Sequence, residues 1–150
     1  MDSLRNPGWV DAILAFRGTA LIARLALASA YILGGLTKLF DFPGAVAEQE
    51  HFGLHPAALW AAVTIVVELT ASILVITGRW VWLGAGALGV LTGVASLVAN
   101  NFWTMSGHDR FMATNTFFEH VGLIGGFVLV AVLASATPRR AGRAPPRTLH

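Results

Sequence analysis

Apolar positions run through this chain in four long uninterrupted stretches, Gly18 to Phe40, Ala57 to Thr77, Val81 to Trp103 and Ala113 to Ala136. Each is long enough to cross a bilayer, since roughly 20 helical residues at about 1.5 Å rise span a hydrocarbon core of about 30 Å. The runs are too long for strands and lack sustained alternation, and backbone polar groups in lipid must be satisfied within the segment, so helices are predicted. The fold expected is all-α, a transmembrane four-helix bundle.

The connections set the topology. Asp41, Phe42, Pro43 and Gly44 end the first run, and the polar stretch to Pro56, with Glu48, Glu50, His51 and His55, reads as a part-helical loop. Gly78, Arg79 and Trp80 leave room only for a tight antiparallel hairpin, and Thr104 to Met112 reads as a polar loop. An up-down order follows. Residues 1–17 form an N-terminal segment, with Trp9, Ile13 and Phe16 of 7–16 suited to a short helix along the membrane surface. Residues 18–136 form the membrane domain, and 137–150, rich in Pro and Arg, are expected to be a disordered tail.

Composition agrees: the 150-residue chain is 55% hydrophobic and 12% charged, far from a water-soluble average. The net charge of +2 owes much to Arg139, Arg140, Arg143 and Arg147, which follow a hydrophobic run without interleaved aromatics, so nucleic-acid binding is excluded and the lipid bilayer is the expected partner. Arg5, Arg17, Arg79 and these tail arginines place both termini in the cytoplasm. Trp9, Phe16, Trp80 and Trp82 then mark the inner interface, and Phe40, Phe42, Trp60, Phe102, Trp103 and Phe111 the outer one. Ala28, Ser29 and Ala30 have the small-residue look of a signal-peptide cleavage site, but Arg24 interrupts the apolar region and the run continues to Leu36, so the first segment reads as a span. With no cysteine, the chain has no dithiol relay and no thiolate metal site.

Charges at membrane depth cost about 2.5 to 3.5 kcal/mol each on insertion scales and are default functional candidates. Arg24, Tyr31, Gly35 and Lys38 share one stripe of the first helix, and Thr64, Glu68 and Ser72 one stripe of the second. Gly86, Gly89, Gly93, Ser96 and Asn100 do so on the third, and Asn115, Glu119, Gly122 and Gly126 on the fourth, with His120 beside them. Packing these stripes inward gives a bundle core that is polar at one end. At about 1.5 Å per residue, Arg24 lies roughly 9 Å and Glu68 roughly 13 Å above the inner boundary, so these two are expected to form a structural ion pair. Lys38, Asn100, Glu119 and His120 gather in the outer third, where with Glu68 they are the candidate ligand-binding residues and Lys38 can neutralise Glu119. His51 and His55 lack a third ligand, and no metal site is expected.

The chain resembles the DoxX family of small four-span membrane proteins over about residues 20 to 135. The likeness rests on Arg24, on Gly34, Gly35 and Lys38, and on Glu68 followed by small residues to Gly78. Asn100, Asn101, Phe102 and Trp103, and the glycine-rich Phe117 to Phe127, extend it. Many relatives carry histidine near the position of Asn100 and a Lys-Asn pair where this chain has Glu119 and His120. The resemblance implies an inner-membrane subunit linked to respiratory or oxidative chemistry, because the family's namesake is similar to the small subunit of a thiosulfate:quinone oxidoreductase. No cofactor is intrinsic to the chain. Quinone is the ligand the resemblance admits, with a redox-enzyme subunit or a second copy of the chain as partners and no catalytic residue assigned; the alternative class is a non-enzymatic carrier or assembly module in which the ion pair is structural.

Overall fold

A computed structural model describes residues 6–136. These fold as six α-helices and one 3-10 turn: α1 (Gly8–Ala15), α2 (Arg17–Phe40), α3 (Phe42–His51), α4 (Ala57–Thr77), α5 (Val81–Ala99), the turn Phe102–Thr104, and α6 (Gly107–Ala136). The expected tail and its arginines lie outside the described residues. Four stretches are long and apolar enough to cross a membrane, Gly18–Phe40, Ala57–Thr77, Val81–Thr104 and Gly107–Ala136. The fourth begins earlier than the sequence suggests, since residues expected in the third loop already form the first turns of α6. The first loop is largely helical, as α3.

The sequence explains these choices. α4 is crowded with β-branched residues from Val63 to Thr77, poor helix formers in water, yet in lipid only internal hydrogen bonding satisfies the backbone. Its threonines conform: Thr70 Oγ1 donates to the Val66 carbonyl at 2.6 Å and Thr77 Oγ1 to the Ile73 carbonyl at 2.7 Å, hiding both hydroxyls from the apolar exterior. α3 starts where Asp41 accepts from the Gly44 backbone N–H at 3.1 Å and Pro43 occupies the first turn. α4 stops at Gly78, whose left-handed φ of 73° closes the helix.

The helices pack in chain order: α2 on α4, α4 on α5, α5 on α6, with α3 laid against α4 and only a few residues of α6 meeting α2. The core is small, built from Tyr31, Ala71, Val75, Ala85, Leu88 and Phe127. Tyr31 ties three helices together, its hydroxyl 2.5 Å from Thr92 Oγ1 on α5 and its ring edge-on to Phe127 of α6 at 5.4 Å. The outward positions are apolar, among them Leu33, Phe40, Val66, Val90, Leu97, Leu129 and Leu133. A surface of that kind belongs in lipid, not water.

Two of the expected inward stripes are displaced. On α5 the buried face is Val81, Gly84, Ala85, Leu88, Thr92 and Ser96, while Gly86 is exposed. On α6, Asn115, Glu119 and Gly122 are exposed, and the buried positions are Ala113 and Phe127. A glycine or a lone polar residue does not fix a helix's rotation when the surrounding lipid is as apolar as the core; the aromatic and branched residues that interlock do.

The register of α2 on α4 matters most for the site. A β-carbon on Gly35 would stand 2.9 Å from Leu69 Cγ and one on Gly34 3.5 Å from Glu68 Oε2, while Arg24 Nη1 lies 2.6 Å from the β-carbon position of Gly78. Relative to helices with level ends, α2 is set toward the Gly78 end by about two turns, roughly 10 Å. Its other end therefore stops about five residues, or 7 Å, short of the start of α4. α3 covers the space above it.

Candidate functional site

Lys38 and Glu68 meet beneath α3. Lys38 Nζ donates to Glu68 Oε1 at 3.2 Å, with the two side chains only 18% and 10% exposed. The pairing follows from helix geometry. Lys38 stands one turn beyond Gly34, which lies opposite Glu68, and each Cα–Cβ bond leans toward its own helix's N-terminus. Contacts run in opposite order along α2 and α4, so those two leans converge. Gly34 leaves the room: a β-carbon there would be 3.5 Å from Glu68 Oε2 and 3.7 Å from Lys38 Nζ.

The pair lines a cavity of about 210 Å³. α3 and the residues after it roof the cavity with Glu48, Gln49, Phe52 and Leu54, α4 adds Trp60, Val63 and Thr64, and α5 adds Leu91, Val94, Ala95, Val98 and Ala99. The walls are apolar and the chemistry is confined to one corner. Glu68 Oε2 is buried and has no hydrogen-bond partner, an arrangement that carries about 1–3 kcal/mol of unrecovered desolvation. The ammonium has three donors and spends one on Oε1. The corner thus presents a free acceptor and spare donors side by side, suited to a polar group that can donate to one and accept from the other.

Several expected positions fall elsewhere. Arg24 does not pair with Glu68: its guanidinium sits beside Gly78, ten residues further along α4 and about 15 Å away by helical rise. There it faces the negative end of the α4 dipole. Level helix ends would bring Arg24 to the depth of Glu68, but α2 is shifted by about two turns. Lys38 pairs with Glu68 and not with Glu119, which is exposed on α6. No residue of α6 lines this cavity, so Glu119 and His120 are not part of it, and Asn100 caps α5 one residue past the lining Ala99. His120 is half-buried with Nδ1 unpartnered. Of the five candidate ligand-binding residues, the structure brings together Lys38 and Glu68.

The roof comes from the stretch that reads as a part-helical loop. Gln49, only 6% exposed, turns inward from it, and Asp41 followed by Pro43 is the helix-start signature that marks where α3 begins. At the same end of the molecule, Phe102, Trp103 and Phe117 form an edge-to-face aromatic cluster with ring separations of 5.2 to 6.2 Å. Among the described residues no group of three or more His, Asp or Glu side chains is placed to hold a metal ion.

Comparison with known proteins places the chain. The DoxX family pattern matches residues 19–101, a stretch that contains every residue lining the cavity. The chain is also similar to the inner membrane protein YphA of Escherichia coli K12, with 28% identity over 112 residues, covering 75% of this chain and 80% of that protein. No solved structure matches it. The chain belongs to the DoxX family and is an integral membrane protein.

Proposed function

We propose that this DoxX-family protein is a quinone-interacting subunit of the inner membrane, holding a quinone head against Lys38 and Glu68 beside a redox enzyme that exchanges the electrons. One observation carries the reading: the unpartnered, buried Glu68 Oε2 next to a lysine with free donors, in an otherwise apolar cavity. A quinol hydroxyl donates to Glu68 Oε2, and a quinone carbonyl accepts from Lys38. The chain has no cysteine to relay electrons, so the redox centre belongs to the partner.

The bundle is up-down, with both termini in the cytoplasm and the α3 roof on the outer side. The three-residue turn between α4 and α5 and the opposite order of contacts along α2 and α4 support the topology. Arg24 and Arg79 at the Gly78 end, together with the arginines after α6, support the orientation. The inner membrane is also the location that YphA's name gives for that relative.

Purification in mild detergent followed by solvent extraction tests the reading. Quinone is expected with the wild type and lost from a folded Glu68→Gln variant. Reproducible absence of quinone from the wild type, with no redox enzyme co-purifying, overturns it.

A second reading makes the protein a non-enzymatic carrier or assembly module, with the ion pair acting as a clip. The bridging of α2 to α4 by Lys38 and Glu68 favours it. A Lys38→Met, Glu68→Leu double variant separates the two: a clip of this kind is replaced by apolar packing at little cost, with partner assembly intact, whereas a ligand site loses its quinone.

A further inference from the structure

A second hollow adjoins the first. It is an open groove of about 480 Å³ on the outward face of α4 and α5, and it shares Trp60, Leu91 and Val94 with the Lys38–Glu68 cavity. From that junction it runs past Val67, Val90 and Gly86 to Trp82. Val94 and Trp82 are twelve residues apart on α5, which makes the groove roughly 18 Å long. Gly86 deepens it, because the β-carbon position there has nothing within 4 Å.

We propose that the occupant is a single-chain lipophile with an uncharged, hydrogen-bonding ring head, whose head fills the Lys38–Glu68 cavity and whose tail lies along this groove, so that it enters sideways from the bilayer. The inference rests on the quinone-head reading and adds the tail, its path and the route of entry. Size argues for two compartments: pockets that enclose a whole drug-sized ligand measure about 300–1,000 Å³, and the 210 Å³ cavity holds a head but not a chain. Charge argues for the head. The free Glu68 oxygen, nine-tenths buried, asks for a donor, which a ring hydroxyl has and a phosphodiester lacks, and this disfavours a phospholipid. Continuity argues for the path, since the shared residues make the groove the cavity's exit toward lipid.

The test uses the full chain in phosphatidylcholine nanodiscs and two probes with one benzoquinone head, one bearing a ten-carbon tail and one bearing none. Binding is read by quenching of tryptophan fluorescence and expressed per probe dissolved in the lipid, which removes partitioning. The tailed probe is expected to bind about five- to tenfold more tightly, a modest gain because lipid is as apolar as the groove. Gly86→Phe, whose β-carbon has nothing within 4 Å and whose ring occupies the groove, is expected to abolish the gain and leave the tail-less probe unchanged. A diazirine on the tail should label Val67, Leu83 or Val90 in the wild type, which keeps the proposal testable should Gly86→Phe fail to fold. Equal binding of both probes, with no label on α4 or α5, overturns the tail path while leaving the head reading standing. Failure of both probes to bind the wild type removes the head reading and this inference with it.

Discussion

Replacing Lys38 with methionine preserves much of the side chain's length and apolar stem but removes its charge, leaving Glu68 alone near the middle of α4. Glu68 is eleven residues from the start of that 21-residue helix, about 16 Å deep on a core of about 30 Å. At 3.2 Å and an effective dielectric of about 20, the lost Coulomb attraction is on the order of 5 kcal/mol. Part of this is offset because the lysine no longer has to be desolvated. Removing one partner of a buried pair destabilises by about 3–5 kcal/mol, and the 18% exposure of Lys38 puts the expectation at the lower end. At about 1.4 kcal/mol per decade, a loss of about 3 kcal/mol lowers the folding equilibrium more than a hundredfold. Reversible unfolding of the purified protein in mixed micelles, followed by helical circular dichroism, measures it. Adding Glu68→Leu to Lys38→Met should restore most of the loss, because apolar replacement of a whole pair is often neutral or stabilising by about 1–4 kcal/mol. A single variant within about 0.5 kcal/mol of wild type, or a double variant no better than the single, would refute coupling between these charges.

Gly35→Leu pushes a side chain into Leu69, whose Cγ is already 2.9 Å from the β-carbon position; separating α2 from α4 should cost at least the 1–3 kcal/mol typical of overpacking, read as a lower unfolding midpoint, and an unchanged midpoint would contradict the register. Because the chain has no cysteine, single Glu50→Cys and Arg79→Cys variants report topology cleanly. The Glu50→Cys variant is expected to react with an impermeant maleimide from the periplasm and the Arg79→Cys variant only after the inner membrane is opened, and the reverse pattern would invert the proposed orientation.

What could be read from the sequence divides along a physical line. Helix existence follows from the length of apolar runs and the demand for internal hydrogen bonds, and the limits of α4 emerge as read, Ala57 to Thr77. Rotation is legible where a bulky or charged residue marks the face: Tyr31, Gly35 and Lys38 on α2, and Glu68 with Ser72 on α4, do point inward. It is less legible on α5 and α6: glycines and a surface carboxylate suggest one face, Leu88, Thr92 and Phe127 set another, and of the expected α5 positions Ser96 is the one buried. Axial register was not legible at all. No periodicity within α2 says that it sits about two turns toward the Gly78 end, and that offset is what exchanges Arg24 for Lys38 as the partner of Glu68.

The same offset links the fold to the proposed role. Had α2 and α4 begun level, Lys38 would stand near a membrane boundary with water at hand. Set inward, it meets a carboxylate deep in the bundle, and the shortened end of α2 leaves a hollow that α3 covers without filling. A pair kept only to join two helices has little need of such a hollow, and packed apolar side chains hold α2 to α4 at least as well. It has still less need of a carboxylate oxygen left without a donor, which forgoes about 1–3 kcal/mol. A guest with a hydroxyl recovers that energy on binding, and its differential stabilisation gives the site selectivity for ligands that can donate. The stability of the apolar double variant and the quinone content of the wild type are therefore two sides of one argument: the more stable the protein becomes without its charges, the more their retention calls for a ligand.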